Sequence, residues 1–275
     1  MIDYSNPKSC GVFFDDLMKL ANASLPSGEP VLSYIYLDGP GGPDNSKSFA
    51  DGICPARSAQ LQADKMKFFG RLQAAFNAMG RGQNAILNGV DDIGTAEMFA
   101  ATGVAGSMFD HHTILQFLDK STGAFDTAKM EESFAMMASP VLANMTVQVK
   151  GWPGPLIAQK DMYPPTLPQP TTPADFQKIA GERFNSELAF YLLIAEETRF
   201  WCYSWFWSGA DYVPKIAGSS VPDEFYPEAS CQLGAPLGSM KKVDETTYTR
   251  EYEHASVLVD LKNRTNSKVA FTGTC

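Results

Sequence analysis

The strongest constraint on the fold is an alternation that recurs along most of the chain. A short apolar run, rich in β-branched or aromatic residues, is followed by a longer segment with apolar residues at helical spacing. Parallel strands cannot be joined by a tight turn and need a crossover, usually a helix, so this rhythm predicts β/α units around a parallel sheet. The runs expected as strands are residues 1–4, 31–37, 85–89, 106–109, 146–149 and 189–195. Between them, residues 56–79 place Leu61, Met66, Phe69, Leu72 and Phe76 near one side, and residues 130–137 and 175–187 are also expected as helices.

Near the start, Ser5-Asn6-Pro7 supplies a capping residue and a proline for a first helical position, with Phe13, Leu17, Leu20 and Ala21 then on one face. An isolated strand over Val12-Phe13-Phe14 is the alternative there. Five prolines between residues 162 and 173 stiffen a polar stretch that reads as a long surface loop. From Tyr226 onward the character changes, and residues 248–253, 256–260 and 268–272 alternate like short antiparallel strands, with Asn263 and Asn266 as turn residues between the last two.

Charge removes one class of function. With 22 Lys+Arg against 31 Asp+Glu the net charge is −9, and no basic cluster exceeds Lys241-Lys242, so a nucleic-acid partner is excluded. No apolar stretch approaches the roughly 20 residues that cross a bilayer, and the residues after Met1 have neither a basic nor an apolar leader character. The five cysteines lie far apart with no C-x-x-C pair, which argues against a zinc ribbon and leaves open two disulfides and a spare, or none. Asn22-Ala-Ser, Asn144-Met-Thr and Asn263-Arg-Thr are glycosylation sequons and favour a secreted or endomembrane setting.

In a parallel β/α fold, ligands bind at the carboxyl ends of the strands, where loops vary on a rigid base. The residues that end the expected strands are Asp38, Asn88, Asp110 with His111 and His112, Lys150 with Trp152, and Glu196 with Glu197 and Arg199. This is a carboxylate-rich ring with Trp and Tyr around it. Two carboxylates facing one pocket can divide the acid and the nucleophile or base roles of glycosidic cleavage. Aromatic faces suit the C–H surfaces of sugars, and Asn, His, Lys and Tyr203 can hydrogen-bond hydroxyls. Asp38-Gly39 also reads as a plain turn, Asp110 as the N-cap of a following helix, and Trp201, Trp205 and Trp207 as packing. Asp110, His111 and His112 form a poor metal set, since adjacent residues point apart and no third anchored ligand is evident.

Several segments taken in order resemble the glycoside hydrolase-like (β/α)8 TIM-barrel family: Ile2-Asp3-Tyr4-Ser5-Asn6-Pro7, Tyr36-Leu37-Asp38-Gly39, Leu87-Asn88-Gly89 and Met108-Phe109-Asp110. The closing stretch carries most of the likeness, with Leu193-Ile194-Ala195, Trp201-Cys202-Tyr203-Ser204, Leu233-Gly234-Ala235-Pro236-Leu237-Gly238 and residues 248–257. The resemblance implies a TIM barrel over residues 1–210, beginning at about its third strand, and a β-rich extension over 211–275 packed on it. Two β/α units of such a barrel then have no counterpart in this chain.

It also implies that Asp38 and Asp110 are the catalytic carboxylates, although the family commonly has Glu where Asp110 stands. Asn88, His111, Lys150, Trp152, Glu196, Arg199 and Tyr203 are then expected to bind a poly- or oligosaccharide, with no cofactor and no metal. A non-catalytic carbohydrate-binding barrel and a metal-assisted hydrolase or lyase are the rival readings.

Overall fold

The computed structural model describes residues 6–32, 34–37, 58–80, 82, 84–90, 92–109, 126–151, 153, 172–203 and 226–275. Among these, five parallel strands alternate with helices: α1 (Pro7–Asn22), β1 (Tyr34–Leu37), α2 (Ser58–Met79), β2 (Asn84–Asn88), α3 (Ile93–Thr102), β3 (Gly106–Phe109), α4 (Thr127–Met137), β4 (Thr146–Gly151), α5 (Pro173–Ile194) and β5 (Arg199–Tyr203). The strand order is β1-β2-β3-β4-β5, with no reversal. A four-strand antiparallel sheet follows, in the order β6 (Lys241–Lys242), β7 (Thr247–Tyr252), β8 (Ala255–Asp260), β9 (Lys268–Phe271). The chain divides into two compact units, residues 1–110 with 138–148, and residues 111–137 with 149–275.

In the first unit, local signals decide most element ends. Asn6 caps α1, its side-chain oxygen accepting from the Lys8 and Ser9 amides at 3.0 and 3.3 Å, with Pro7 in the first turn where its missing N–H costs nothing. Val12, Phe13 and Phe14 are therefore helical. Asp92 caps α3 through the Thr95 amide at 2.8 Å, and Gly103 ends it at φ 73°, a conformation open to glycine. The core is Phe68, Phe69, Leu72 and Phe76 of α2 with Ala85, Ile86 and Leu87 of β2 and Phe99 of α3. Buried Gln73 joins α2 to the sheet: its oxygen accepts from the Ala85 amide at 2.9 Å while its Nε2 donates to Asn77 and Asn84. Gly106 lacks a Cβ where one would lie 2.9 Å from the Ile86 side chain, so β3 can approach β2 only with a glycine there.

In the second unit, α5 is the central element, packed against β5 and also against β7, β8 and β9. Its start is a capping box, Thr172 Oγ1 accepting from the Asp175 amide at 3.2 Å and the Asp175 carboxylate accepting from the Thr172 amide at 2.9 Å. The sequence reading divided this segment into a helix over 175–187 and a strand over 189–195, and the structure corrects it: the helix runs unbroken to Ile194. Leu188, Ala189, Phe190, Leu192, Leu193 and Ile194 are all buried because the helix has protein on more than one side, so its last turns lose the polar stripe that marks an amphipathic helix.

Beyond that point β7 holds the helix end. Arg250 Nη1 donates to the carbonyls of Leu193 at 3.1 Å and Ala195 at 2.6 Å, and the Tyr252 hydroxyl donates to Leu192 O at 2.7 Å. Asn185 acts as an extra strand residue toward β9, donating to Val269 O at 3.3 Å and accepting from its amide at 2.7 Å. Buried Glu187 pairs with Arg264. A disulfide joins Cys231 to Cys275; Cys10 is buried and Cys202 is exposed.

Candidate functional site

Because β1, β2 and β3 run parallel in register, their carboxyl ends fall along one edge: Leu37 pairs with Leu87 and Asn88 with Met108. Asn88 ends β2, and Gly89, at φ 94°, turns the chain so that the amides of Gly89 and Val90 both donate to Met108 O, at 3.0 and 3.2 Å. The turn holds the Asn88 carboxamide at the tip of the strand, with its Oδ1 shielded from water. Tyr36 pairs with Ile86, two residues before Asn88 on the same face, and its hydroxyl oxygen is also buried. Sequence reasoning passed over Tyr36; its period-two spacing from Asp38 was the available signal.

In the second unit Lys150 lies next to the end of β4 and is 2% exposed. The next residue, Gly151, faces the α5 side, where an added Cβ would sit 2.7 Å from Trp201 Nε1. Alternation therefore sends Lys150 to the opposite face of the strand. The same argument sorts β5. Trp201 stacks on Tyr191 of α5 at 5.5 Å between ring centroids, and Phe184 contacts both Trp201 and Tyr203. Phe200 and Cys202 consequently point away from α5, and both are exposed. A lysine ammonium kept from water near a strand tip is a costly arrangement that proteins retain where it meets a polar partner or a ligand.

The remaining expected site residues divide by position. Asp38, Asp110, His111 and Trp152 lie outside the described residues, as does His112. Leu37 and Phe109, which precede the two aspartates in sequence, are the last residues of β1 and β3. Tyr203 ends β5 but on its α5 face, where its hydroxyl donates to Ala180 O at 2.8 Å and burial pushes its pKa far above the ordinary tyrosine value.

Glu196 does not end a strand. It lies in the connection that follows α5 and precedes β5, where it pairs with Arg250 at 3.1 Å, and Glu197 is in the same connection. Arg199 begins β5 rather than following a strand; it is buried, its guanidinium donates to Thr198 Oγ1 at 2.7 Å, and burial lowers its pKa. Glu196 and Arg199 thus stand at the amino end of β5, the opposite end from Tyr203. The reason is the extended α5: a strand expected to begin at residue 189 begins ten residues later, at Arg199.

In the first unit the described carboxyl strand ends offer a carboxamide at Asn88 and a phenol at Tyr36, and in the second unit the end of β4 offers an amine at Lys150, each able to hydrogen-bond a polar ligand. Among the described residues no group of three or more His, Cys, Asp and Glu could hold a metal ion, and no helix is long and apolar enough to cross a membrane. No protein-family model matches the sequence, and no curated protein matches it.

Proposed function

We propose that the five parallel strands are successive strands of a glycoside hydrolase-like β/α barrel, and that the protein cleaves glycosidic bonds of a poly- or oligosaccharide with Asp38 and Asp110 as its carboxylate pair. The observation that carries this reading is the strand order β1-β2-β3-β4-β5. Right-handed crossovers taken always in one direction put every connecting helix on the same side of a parallel sheet, whereas a doubly wound fold reverses direction and covers both sides. A sheet wound in one sense buries its second face by curling on itself, and its ligand site is the carboxyl rim. In the first unit Asn88 ends β2, and Asp38 and Asp110 are the next residues in sequence after β1 and β3.

In this reading one aspartic acid protonates the departing glycosidic oxygen and the other, ionised, acts as nucleophile or as base for water. Asn88 and Lys150 bind sugar hydroxyls, with His111 and Trp152 contributing from the connections after Asp110 and β4. Glu196, Arg199 and Tyr203 are left out of the rim because of where β5 places them. The test is hydrolysis of a panel of oligo- and polysaccharides, read as new reducing ends, by the wild type and by Asp38→Asn and Asp110→Asn. Loss of about a hundredfold or more in each variant is expected. Full activity in both variants removes the assignment, and saturable sugar binding with no hydrolysis in the wild type replaces it with a carbohydrate-binding barrel.

A further inference from the structure

We propose that the protein is an N-glycoprotein, with N-linked glycans on Asn22, Asn144 and Asn263 and the Cys231–Cys275 bond formed in the same oxidising compartment. All three sequon asparagines are exposed. Each stands where an element ends: Asn22 is the last residue of α1, Asn144 lies between a 3-10 turn at Pro140–Leu142 and β4, and Asn263 lies between β8 and a 3-10 turn at Arg264–Asn266. Exposed turns at element ends are where a bulky polar modification is accommodated without disturbing the core.

At Asn263 the residues of the sequon meet in a local turn. Thr265, the hydroxyl residue of its sequon, donates from Oγ1 to Asn263 Oδ1 at 2.7 Å and from its amide at 3.2 Å. These two hydrogen bonds fix the orientation of the Asn263 carboxamide on an exposed turn. In the transfer, Asn Nδ2 bonds to the anomeric carbon of a lipid-pyrophosphate-linked oligosaccharide. The carbon–oxygen bond to the pyrophosphate breaks, the lipid pyrophosphate leaves, and Nδ2 loses one proton. No electron changes hands.

The disulfide is the independent observation. Cys231 and Cys275 are 44 residues apart and bonded, and such bonds persist in secretory compartments and are rare where thiols are kept reduced. The positions also leave the proposed rim open. Asn144 precedes the first residue of β4 by two positions, and Ala23, next to Asn22, accepts from the Val31 amide at 3.0 Å, three residues before β1. Both glycans of the first unit thus fall toward the amino ends of its strands.

The experiment uses the endogenous protein, immunoprecipitated from the cells that make it and treated with peptide N-glycosidase in heavy-oxygen water. That reaction converts each glycan-bearing asparagine to labelled aspartate, located by peptide mass spectrometry. Labelled aspartate at the three sequons is expected, together with a peptide pair linked through Cys231 and Cys275 in a non-reduced digest. Unlabelled asparagine at both Asn144 and Asn263 overturns the proposal. The readout involves no sugar-cleaving activity, so it stands or falls apart from the proposed function.

Discussion

Replacing Arg250 with methionine tests what holds the end of α5. The Arg250 side chain is 4% exposed, whereas its only ion-pair partner among the described residues, Glu196, is 57% exposed. Its charge is therefore matched chiefly by main-chain carbonyls: Leu193 at 3.1 Å, Ala195 at 2.6 Å and, through Nε, Gly238 at 3.2 Å. Hydrogen bonds to a charged group contribute about 1.5–3 kcal/mol each, but their losses overlap when one side chain makes them all. The positive charge also offsets the partial negative charge at the helix C-terminus, a term of up to about 2 kcal/mol when partly buried.

Methionine fills most of the volume and satisfies none of the carbonyls, so Arg250→Met is expected to cost about 3–5 kcal/mol. Glu196→Gln removes only a solvent-screened partner and is expected to cost less than about 1 kcal/mol. Trp201 stacks on Tyr191 of α5, so urea unfolding followed by tryptophan fluorescence senses the loss of that packing. With a denaturant slope of about 1–3 kcal/mol per molar, the Arg250→Met midpoint drops by one molar or more. An Arg250→Met midpoint within error of the wild type, or a Glu196→Gln loss equal to it, would refute the assignment of Arg250 as a carbonyl cap.

Three further outcomes follow from the same structure. Closing a loop across the 44-residue separation of Cys231 and Cys275 contributes about 4 kcal/mol in the chain-entropy account, so Cys231→Ser or reduction is expected to lower stability by about 2–4 kcal/mol, read by urea titration with and without reductant. Burial holds the Lys65 pKa down to about 8, so between that value and 10.5 the unfolded chain keeps a proton that the native state has released; stability therefore rises with pH across that window. Below pH 8 the penalty is constant, so Lys65→Met is expected to flatten the slope between pH 8 and 9, below the range in which Arg264, lowered to about 9 by burial, adds to it, read in denaturation series. Tyr203→Phe loses the bond to Ala180 O and about 1 kcal/mol of stability, read by urea titration; under the proposed function Lys150→Met weakens sugar binding measured by calorimetry and Tyr203→Phe does not.

Much of the fold was legible in local chemistry. Asn6-Pro7 marked the start of α1, residues 106–109 read as β3 without error, and the period-two pattern after Tyr226 located β7, β8 and β9 to within a residue at each end. In the candidate site, Asn88 and Lys150 were recognisable because they follow apolar runs flanked by glycine, and those runs are strands β2 and β4. Arg250 was noticed only as part of a motif, since the carbonyls it caps lie more than fifty positions earlier in the chain.

Amino-acid order alone settled the features in which a residue answers to its near neighbours: caps, turns, alternating strands and one-sided helices. It could not settle whether the apolar run at 189–195 was strand or helix, because a segment enclosed by β5 and by β7, β8 and β9 has no wet side and so shows neither period. That choice moved Glu196 and Arg199 from the carboxyl end of a strand to the amino end of β5. Burial on several faces is a property of the assembled layers, and only the tertiary structure contains it.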